Sequence, residues 1–191
     1  MSVREIVVIG DPVLRTRARA IAPGELPTPE VQRLIDDMIE TKRAARGAGL
    51  AANQVGEPLR IAIAEVEGTN PRYPYKPAIP LCVMVNPSIE PTGDELIEIN
   101  EGCLSVPGLR GYLPRHASVR ISYLDRDGHE HVEVKRGLTA GTFQHELDHL
   151  NGVLFVDRVD PRTLSTWEHY ERHQRAEFEE RAREIVARHG S

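Results

Sequence analysis

Apolar side chains recur at helical spacing in the first quarter of the chain, at Val31, Leu34, Ile35, Met38 and Ile39. Positions three or four residues apart share one face of a helix, so this segment predicts a helix with one buried side. Thr28 is suited to cap its first turn, and Pro29 is suited to the first helical position. The helix is expected to end at Gly47.

Farther along, apolar and polar residues alternate, which is the pattern of strands with one buried face. The alternating segments are residues 59–66, 82–89, 95–100, 119–123 and 131–135, and a last short strand is expected at 153–156. Asp127 and Gly128 predict the tight turn of a hairpin that leads into the 131–135 strand.

Two more helices follow from the pattern. Residues 137–150 carry apolar side chains around much of a helix, and Asn151 and Gly152 are suited to end it. A final helix is expected to begin at Asp160 and Pro161 and to reach about His189. The residues expected to dock this helix are Leu164, Trp167 and Phe178.

The order of these elements predicts an α+β fold, in which antiparallel or mixed strands surround a central helix at 137–150. An N-terminal helix and a C-terminal helix flank them. The chain has 191 residues, of which 40% are hydrophobic and 28% charged. This suits a single domain over residues 1–191, with residues 161–191 as its C-terminal helix.

Charge and composition argue against several classes of function. The formal net charge is −5, so no broad basic surface for direct nucleic-acid binding is expected. No apolar run approaches the ~18 residues that a membrane-spanning helix needs. Without a secretory leader, we expect a cytoplasmic protein with reduced cysteines. A disulfide between Cys82 and Cys103 is therefore not expected.

Residues with chemical potential concentrate in the predicted central helix. Residues 144–149 read Q-H-E-L-D-H, which has the form H-E-x-x-H. Positions i and i+4 lie on one helix face, so His145 and His149 can bind the same metal ion. Glu146 can then exchange a proton with a water molecule at that metal. The alternative interpretation is an ordinary amphipathic helix with two surface histidines.

A catalytic metal site of this kind takes three protein ligands. Cys103 is the favoured third ligand, because it follows the strand-like run 95–100 and a thiolate binds borderline divalent ions well. A free cysteine is more commonly a small buried hydrophobe. Glu168 stays open as an alternative ligand, since some H-E-x-x-H peptidases take a glutamate from a later helix. Phe155 occupies the position where others place a third histidine.

Small residues dominate the segment 47–54, which reads G-A-G-L-A-A-N-Q. Small side chains let a backbone approach a ligand closely. Gln54 can then offer its amide N–H groups to a developing oxyanion.

Residues 70–80 contain four prolines and predict an extended surface loop between strands. Tyr73 and Tyr75 of this loop can line a substrate entrance or pack the loop, and packing is the favoured interpretation.

Together, residues 47–54, 101–105 and 144–149 resemble the three signature motifs of peptide deformylases, G-φ-G-φ-A-A-x-Q, E-G-C-L-S and Q-H-E-x-D-H. Every signature position is matched, in the expected order. The resemblance extends to residues 11–15 and covers the chain from about residue 4 to about residue 160. The fold of that family agrees with the α+β prediction.

The resemblance implies a role for each matched residue. The metal ligands would be Cys103, His145 and His149. Glu146 would be the general base and acid, and Gln54 and the backbone N–H of Leu104 would form the oxyanion hole. Gly49 and Gly102 would pair with the backbone of an extended peptide substrate.

Glu101 would be a structural carboxylate that pairs with Arg115. A solvated surface charge is the alternative interpretation of this residue.

The activity implied by the resemblance is removal of the formyl group from N-formylmethionyl nascent chains, with release of formate. The implied cofactor is one divalent metal ion, generally Fe²⁺, for which Zn²⁺, Ni²⁺ or Co²⁺ can substitute. The C-terminal helix of bacterial members can contact the ribosome. Residues 161–191 carry six Arg and six Glu, so their charge is balanced and only a weak contact is expected.

Two other functions stay open. One is a peptidase with Glu168 as third ligand, in which Cys103→Ala would leave the metal in place. The other is a binding module that holds formylated chains without catalysis, although the intact Glu146 and Gln54 argue against it.

Overall fold

The structure, a computed structural model, describes residues 2–68, 70 and 72–191. Its helices are α1 (Pro29–Ala44), α2 (Gly137–Leu150), α3 (Trp167–His173) and α4 (Arg175–His189). Its strands are β1 (Gly49–Ala51), β2 (Ile61–Val66), β3 (Ile79–Pro91), β4 (Leu96–Cys103), β5 (Val106–His116), β6 (Ser118–Leu124), β7 (Glu130–Arg136) and β8 (Ser165–Thr166).

In the described part of the chain, these strands form two sheets. One has five strands in the order β1-β2-β3-β6-β7, and the other has three in the order β4-β5-β8. All neighbouring strands in both sheets are antiparallel. Gly128 adopts φ +88° in the turn between β6 and β7, so the predicted hairpin is confirmed.

Helix α2 contacts strands of both sheets. Phe143 and Leu147 pack into the core on the five-stranded sheet. Leu138, near the start of the helix, packs with Ile99 of β4 and with Phe178 of α4. This arrangement confirms the predicted α+β fold around a central helix.

Helix α1 begins where the sequence predicts. The hydroxyl of Thr28 accepts a hydrogen bond from the Val31 backbone N–H, and Pro29 takes the first position. The helix ends at Ala44 and not at the predicted Gly47. Arg46 adopts φ +53°, so the left-handed residue that stops the helix is Arg46 and not the expected Gly47.

Strand β5 was not predicted. Proline and glycine at positions 107, 108, 111 and 114 interrupt its alternation of apolar and polar residues. It forms because it pairs with β4, from Leu96 opposite His116 to Cys103 opposite Val106. Long-range pairing therefore overrides the local signal.

The predicted strand at 153–156 is wrong. Phe155–Asp157 form a 3-10 turn, and the Leu154 backbone N–H donates to Asp157 Oδ2 at 2.8 Å. The apolar run exists because Leu154 and Phe155 are buried in the core beside Leu14.

A continuous C-terminal helix is also wrong. Pro161–Thr163 form a 3-10 turn, β8 then pairs with Leu109 and Arg110 of β5, and the helical part is divided at Gln174. The pairing holds the chain extended until Thr166, which caps α3. Of the expected docking residues, Phe178 is buried, Trp167 is half-buried and Leu164 is exposed.

Glu65 of β2 anchors the end of α1 beside the first motif segment. Its carboxylate accepts from Lys42 Nζ at 2.6 Å and from Arg43 Nη2 at 2.7 Å. Lys42 is buried, so its ammonium depends on this partner. The Glu65 backbone N–H donates to Ala48 O at 2.9 Å, which ties the same residue to the segment 47–49.

We expect Glu65→Gln to lower the free energy of unfolding by about 3 kcal/mol at pH 7. Hydrogen bonds from Arg43 and Lys42 lower the pKa of Glu65 to about 2, against the opposing effect of burial. A lowered carboxyl pKa stabilises the fold above pH ~4.5, and this contribution is lost as pH falls toward 2.

Urea unfolding of the wild type and of Glu65→Gln between pH 7 and pH 3 measures the difference between their free energies of unfolding. This difference should be constant above pH ~5 and become smaller below pH ~4.5. Glu90→Gln is the matched control, because its ion pair with Arg120 is exposed to solvent and should contribute little. Equal effects of the two substitutions would contradict the assigned role of Glu65.

Candidate metal centre

The three predicted metal ligands converge at one place. Cys103 is the last residue of β4, at a register shift in its pairing with β5. His145 and His149 lie one turn apart on α2. His149 Nε2 is 3.3 Å from Cys103 Sγ and 3.3 Å from His145 Nε2. All three ligand atoms lie within 4.8 Å of one another.

Glu101 orients His145 toward this cluster. Its Oε2 lies 2.8 Å from His145 Nδ1, which leaves His145 Nε2 facing the other two ligand atoms. Arg115 donates to both oxygens of Glu101 and, at 2.6 Å, to Asp148 Oδ2. Burial raises the pKa of Glu101, but Arg115 lowers it further, so the carboxylate stays ionised. The pairing of Glu101 with Arg115 is the one that the family resemblance implies, and the alternative of a solvated surface charge is wrong.

This donor set fits a divalent transition metal. Two imidazole nitrogens and one sulfur suit borderline ions such as Zn²⁺ and Fe²⁺. Burial, together with the neighbouring His145, lowers the pKa of His149 well below its ordinary value. His149 is therefore neutral, which is the form that binds metals.

Glu146 lies beside the cluster and packs against the first motif segment. Any side chain at Gly49 would collide with its carboxylate, which explains the glycine. Glu146 Oε2 is buried and has no hydrogen-bond partner in the described chain. Burial raises the pKa of Glu146 to about 7, so the group can accept and release a proton near neutral pH.

Gln54 reaches the cluster from the other side. Its Oε1 accepts from the Ala51 backbone N–H at 2.9 Å, which fixes the amide orientation. Its Nε2 then points toward Cys103 Sγ, at 3.5 Å, and Ser105 Oγ, at 3.1 Å. Leu104 lies in the turn between β4 and β5, next to Cys103.

A pocket opens from the cluster, and Gly49 and Gly102 both line it. A side chain at Gly102 would press on Arg110 Cγ and Leu109 O, each 3.2 Å from the position of its Cβ. Both glycines therefore line the pocket at points where a side chain would press on neighbouring atoms.

Arg110, which the sequence analysis did not single out, supports one wall of the pocket. It is buried, and its Nε donates to Asn100 Oδ1 at 2.7 Å. Its guanidinium lies 4.7 Å from the ring centre of Trp167 and 4.4 Å from that of Tyr170. Through these rings, the C-terminal segment packs against the pocket.

Tyr73 and Tyr75 line the pocket, and both also pack against the core, Tyr75 with its ring centre 5.1 Å from that of Phe178. The entrance interpretation and the packing interpretation therefore both describe them. Pro71 of the same predicted loop lies outside the described residues.

Residues 3–165 match the family model described as polypeptide deformylase. The chain belongs to the polypeptide deformylase family. Its relatives include a peptide deformylase of Leptospira biflexa, 43% identical over 164 residues, which are 86% of this chain and 92% of the relative. Peptide deformylase 1 of Bordetella pertussis is 46% identical over 158 residues, 82% of this chain and 88% of the relative.

Solved deformylase structures share the fold. The Met-Ala-Ser-bound class I type b peptide deformylase of Acinetobacter baumannii superposes with a TM-score of 0.79 at 39% identity. The match covers 83% of this chain and 100% of that structure. The chain is thus a metal-dependent hydrolase that removes the formyl group from the N-terminal formyl-methionine of newly made polypeptides.

The peptidase alternative, with Glu168 as third ligand, is wrong for this deformylase. Glu168 lies in the first turn of α3, its side chain is 73% exposed, and it pairs with Arg172 at 2.8 Å. The binding module without catalysis is also set aside, since the family is one of enzymes.

Cys82 and Cys103 are both free thiols. Across the residues that the structure describes, no helix has the length and apolar character to cross a membrane.

Proposed function

We propose that Cys103, His145 and His149 together hold the divalent metal of this deformylase. The observation that carries the proposal is the approach of one sulfur and two imidazole nitrogens to within 4.8 Å of one another. Fe²⁺ is the proposed native ion, and Zn²⁺, Ni²⁺ or Co²⁺ can replace it. When bound, the ion supplies Lewis acidity at the formyl carbonyl and lowers the pKa of water.

Glu146 is the proposed general base and acid. Its carboxylate takes a proton from the attacking water and later gives one to the leaving amine, which frees formate and the peptide N-terminus. This role is supported by its burial and by its Oε2, which has no hydrogen-bond partner among the described residues.

The oxyanion that develops on the formyl group accepts hydrogen bonds from Gln54 Nε2 and from the Leu104 backbone N–H. The hydrogen bond from Ala51 to Gln54 Oε1 supports this, because it holds the donor end of the amide toward the cluster. Gly49 and Gly102 are proposed to bind the backbone of the extended peptide.

We expect Gln54→Leu to lower kcat by about 10²- to 10³-fold, with metal content unchanged. The substitution keeps the size of the side chain and removes the donor. Steady-state rates normalised to bound metal measure the effect. A variant that keeps half of the wild-type kcat would exclude Gln54 from the oxyanion hole.

Formate release from formyl-Met-Ala-Ser, measured anaerobically, tests the proposed function. We expect one formate for each free amine formed, and no cleavage between Met and Ala. Acetyl-Met-Ala-Ser should be hydrolysed far more slowly. Internal cleavage without formate would contradict the proposal.

The proposed location is the cytoplasm, where formylated nascent chains occur. Ribosome contact through the C-terminal helices is proposed only as a weak interaction. Arg175, Arg181 and Arg188 are paired with Glu179, Glu98 and Glu95, so these guanidinium groups are already partly neutralised.

A further inference from the structure

Lys76 carries an ammonium group into the substrate pocket. Its Nζ donates to Thr142 Oγ1 at 2.7 Å and lies 5.1 Å from the ring centre of Tyr73. Among the described residues, no carboxylate lies within ion-pair distance of it. Lys76 is half-buried, and a cation that loses part of its hydration without gaining an ion pair is costly, so this placement calls for a functional explanation.

The position of Lys76 relative to the reacting groups is set by α2. Thr142 precedes Glu146 by four residues, so both lie on the same helix face about one turn apart. Leu138 lies one turn before Thr142, and Ile99 of β4 lines the same part of the pocket. This recess therefore leads away from Glu146 along α2.

The recess begins beside Glu146, where the formyl group is proposed to lie, so it can receive the side chain of the first residue of the peptide. Leu138 and Ile99 provide apolar walls, and Lys76 and Thr142 provide the polar part. Nζ has three donor positions, of which Thr142 uses one.

Burial lowers the pKa of Lys76 to about 8, while Glu101 and Glu146 oppose that shift and Arg110 adds to it. The amine donates hydrogen bonds whether it is charged or neutral.

We propose that Lys76 and Thr142 form a hydrogen-bonding end of the first-residue recess, which lets this enzyme deformylate formyl-methionine sulfoxide as well as formyl-methionine. Methionine sulfoxide carries one oxygen on its sulfur, and that oxygen is a strong hydrogen-bond acceptor. An entirely apolar recess would strip water from this oxygen without replacing the hydrogen bond. The proposal rests on the site assigned above.

The test compares formyl-Met(O)-Ala-Ser with formyl-norleucyl-Ala-Ser, whose side chain has the length of methionine but no acceptor. For each protein, the ratio of the two kcat/KM values is measured. We expect Lys76→Met to lower the sulfoxide-to-norleucine ratio by about tenfold or more. Lys135→Met is the matched control, because Lys135 pairs with Glu133 on β7 and should leave the ratio unchanged.

Thr142→Val serves as the second variant, and as the sole one if Lys76→Met does not fold. It removes the hydroxyl that positions Nζ, so the ratio should fall by a few fold. Binding of the product peptides Met(O)-Ala-Ser and Nle-Ala-Ser should show the same discrimination without turnover.

A sulfoxide-to-norleucine ratio that Lys76→Met leaves unchanged would overturn the proposal, as would a wild type that deformylates formyl-Met-Ala-Ser but not formyl-Met(O)-Ala-Ser. In either case, continued hydrolysis of formyl-Met-Ala-Ser by the wild type would leave the deformylase function intact. A wild type that releases formate from none of these peptides would refute the function itself.

Discussion

Replacing Glu146 with glutamine lowers the rate of formate release by about 10³-fold while the metal stays bound. Glutamine keeps the volume that packs against Gly49 but cannot accept the proton from water. Glu146→Ala should lose the same activity, because the proton acceptor is what matters. The measurement is single-turnover formate release, alongside metal analysis of each protein.

Glu168→Gln is the matched control for this prediction. Glu168 is an exposed residue paired with Arg172, so its substitution should change neither the rate nor the metal content. If Glu146→Gln kept more than a few per cent of the wild-type rate, another group would have to move the proton.

Replacing Cys103 with alanine reduces bound metal from about one ion per chain to nearly none, and deformylation falls with it. The two histidines alone leave the ion with too few protein ligands for tight binding. Elemental analysis after gel filtration, on protein prepared anaerobically, measures the loss.

Cys82→Ala controls for the general effect of removing a thiol. Cys82 is half-buried in β3 and is not part of the ligand cluster, so this variant should keep both metal and activity. Retention of metal by Cys103→Ala would show that a different side chain completes the site.

The site was more predictable than the fold around it. His145, Glu146 and His149 lie within one turn of helix, so their proximity follows from helical geometry alone. Thiolate chemistry favoured Cys103 as the third ligand, but Glu168 stayed open until the resemblance was considered. The contacts that position the site join residues far apart in the sequence, such as Glu101 with Arg115 and His145. No local pattern specifies such contacts.

The missed elements have a common physical origin. Strand β5 and the β8 pairing depend on partners distant in sequence, and prolines and glycines weaken their local signal. The C-terminal segment was expected to form a single helix from the start signal at Asp160 and Pro161, which instead opens a 3-10 turn. Its extended start at Ser165–Thr166 is imposed by β5.

Lys76 illustrates the same limit within the pocket. It lies in a proline-rich loop 66 residues before Thr142, to which it donates a hydrogen bond. The sequence predicts the loop, but its pattern suggests roles only for Tyr73 and Tyr75 and none for Lys76. Only the folded chain brings this amine to the wall formed by α2.

X-ray absorption of the zinc-loaded enzyme tests the central claim most directly, because it reports the atoms bound to the metal. We predict one sulfur at about 2.3 Å and two imidazole nitrogens at about 2.0–2.1 Å, with the sulfur lost in Cys103→Ala. A wild-type spectrum with no sulfur neighbour would contradict a metal centre built from Cys103, His145 and His149.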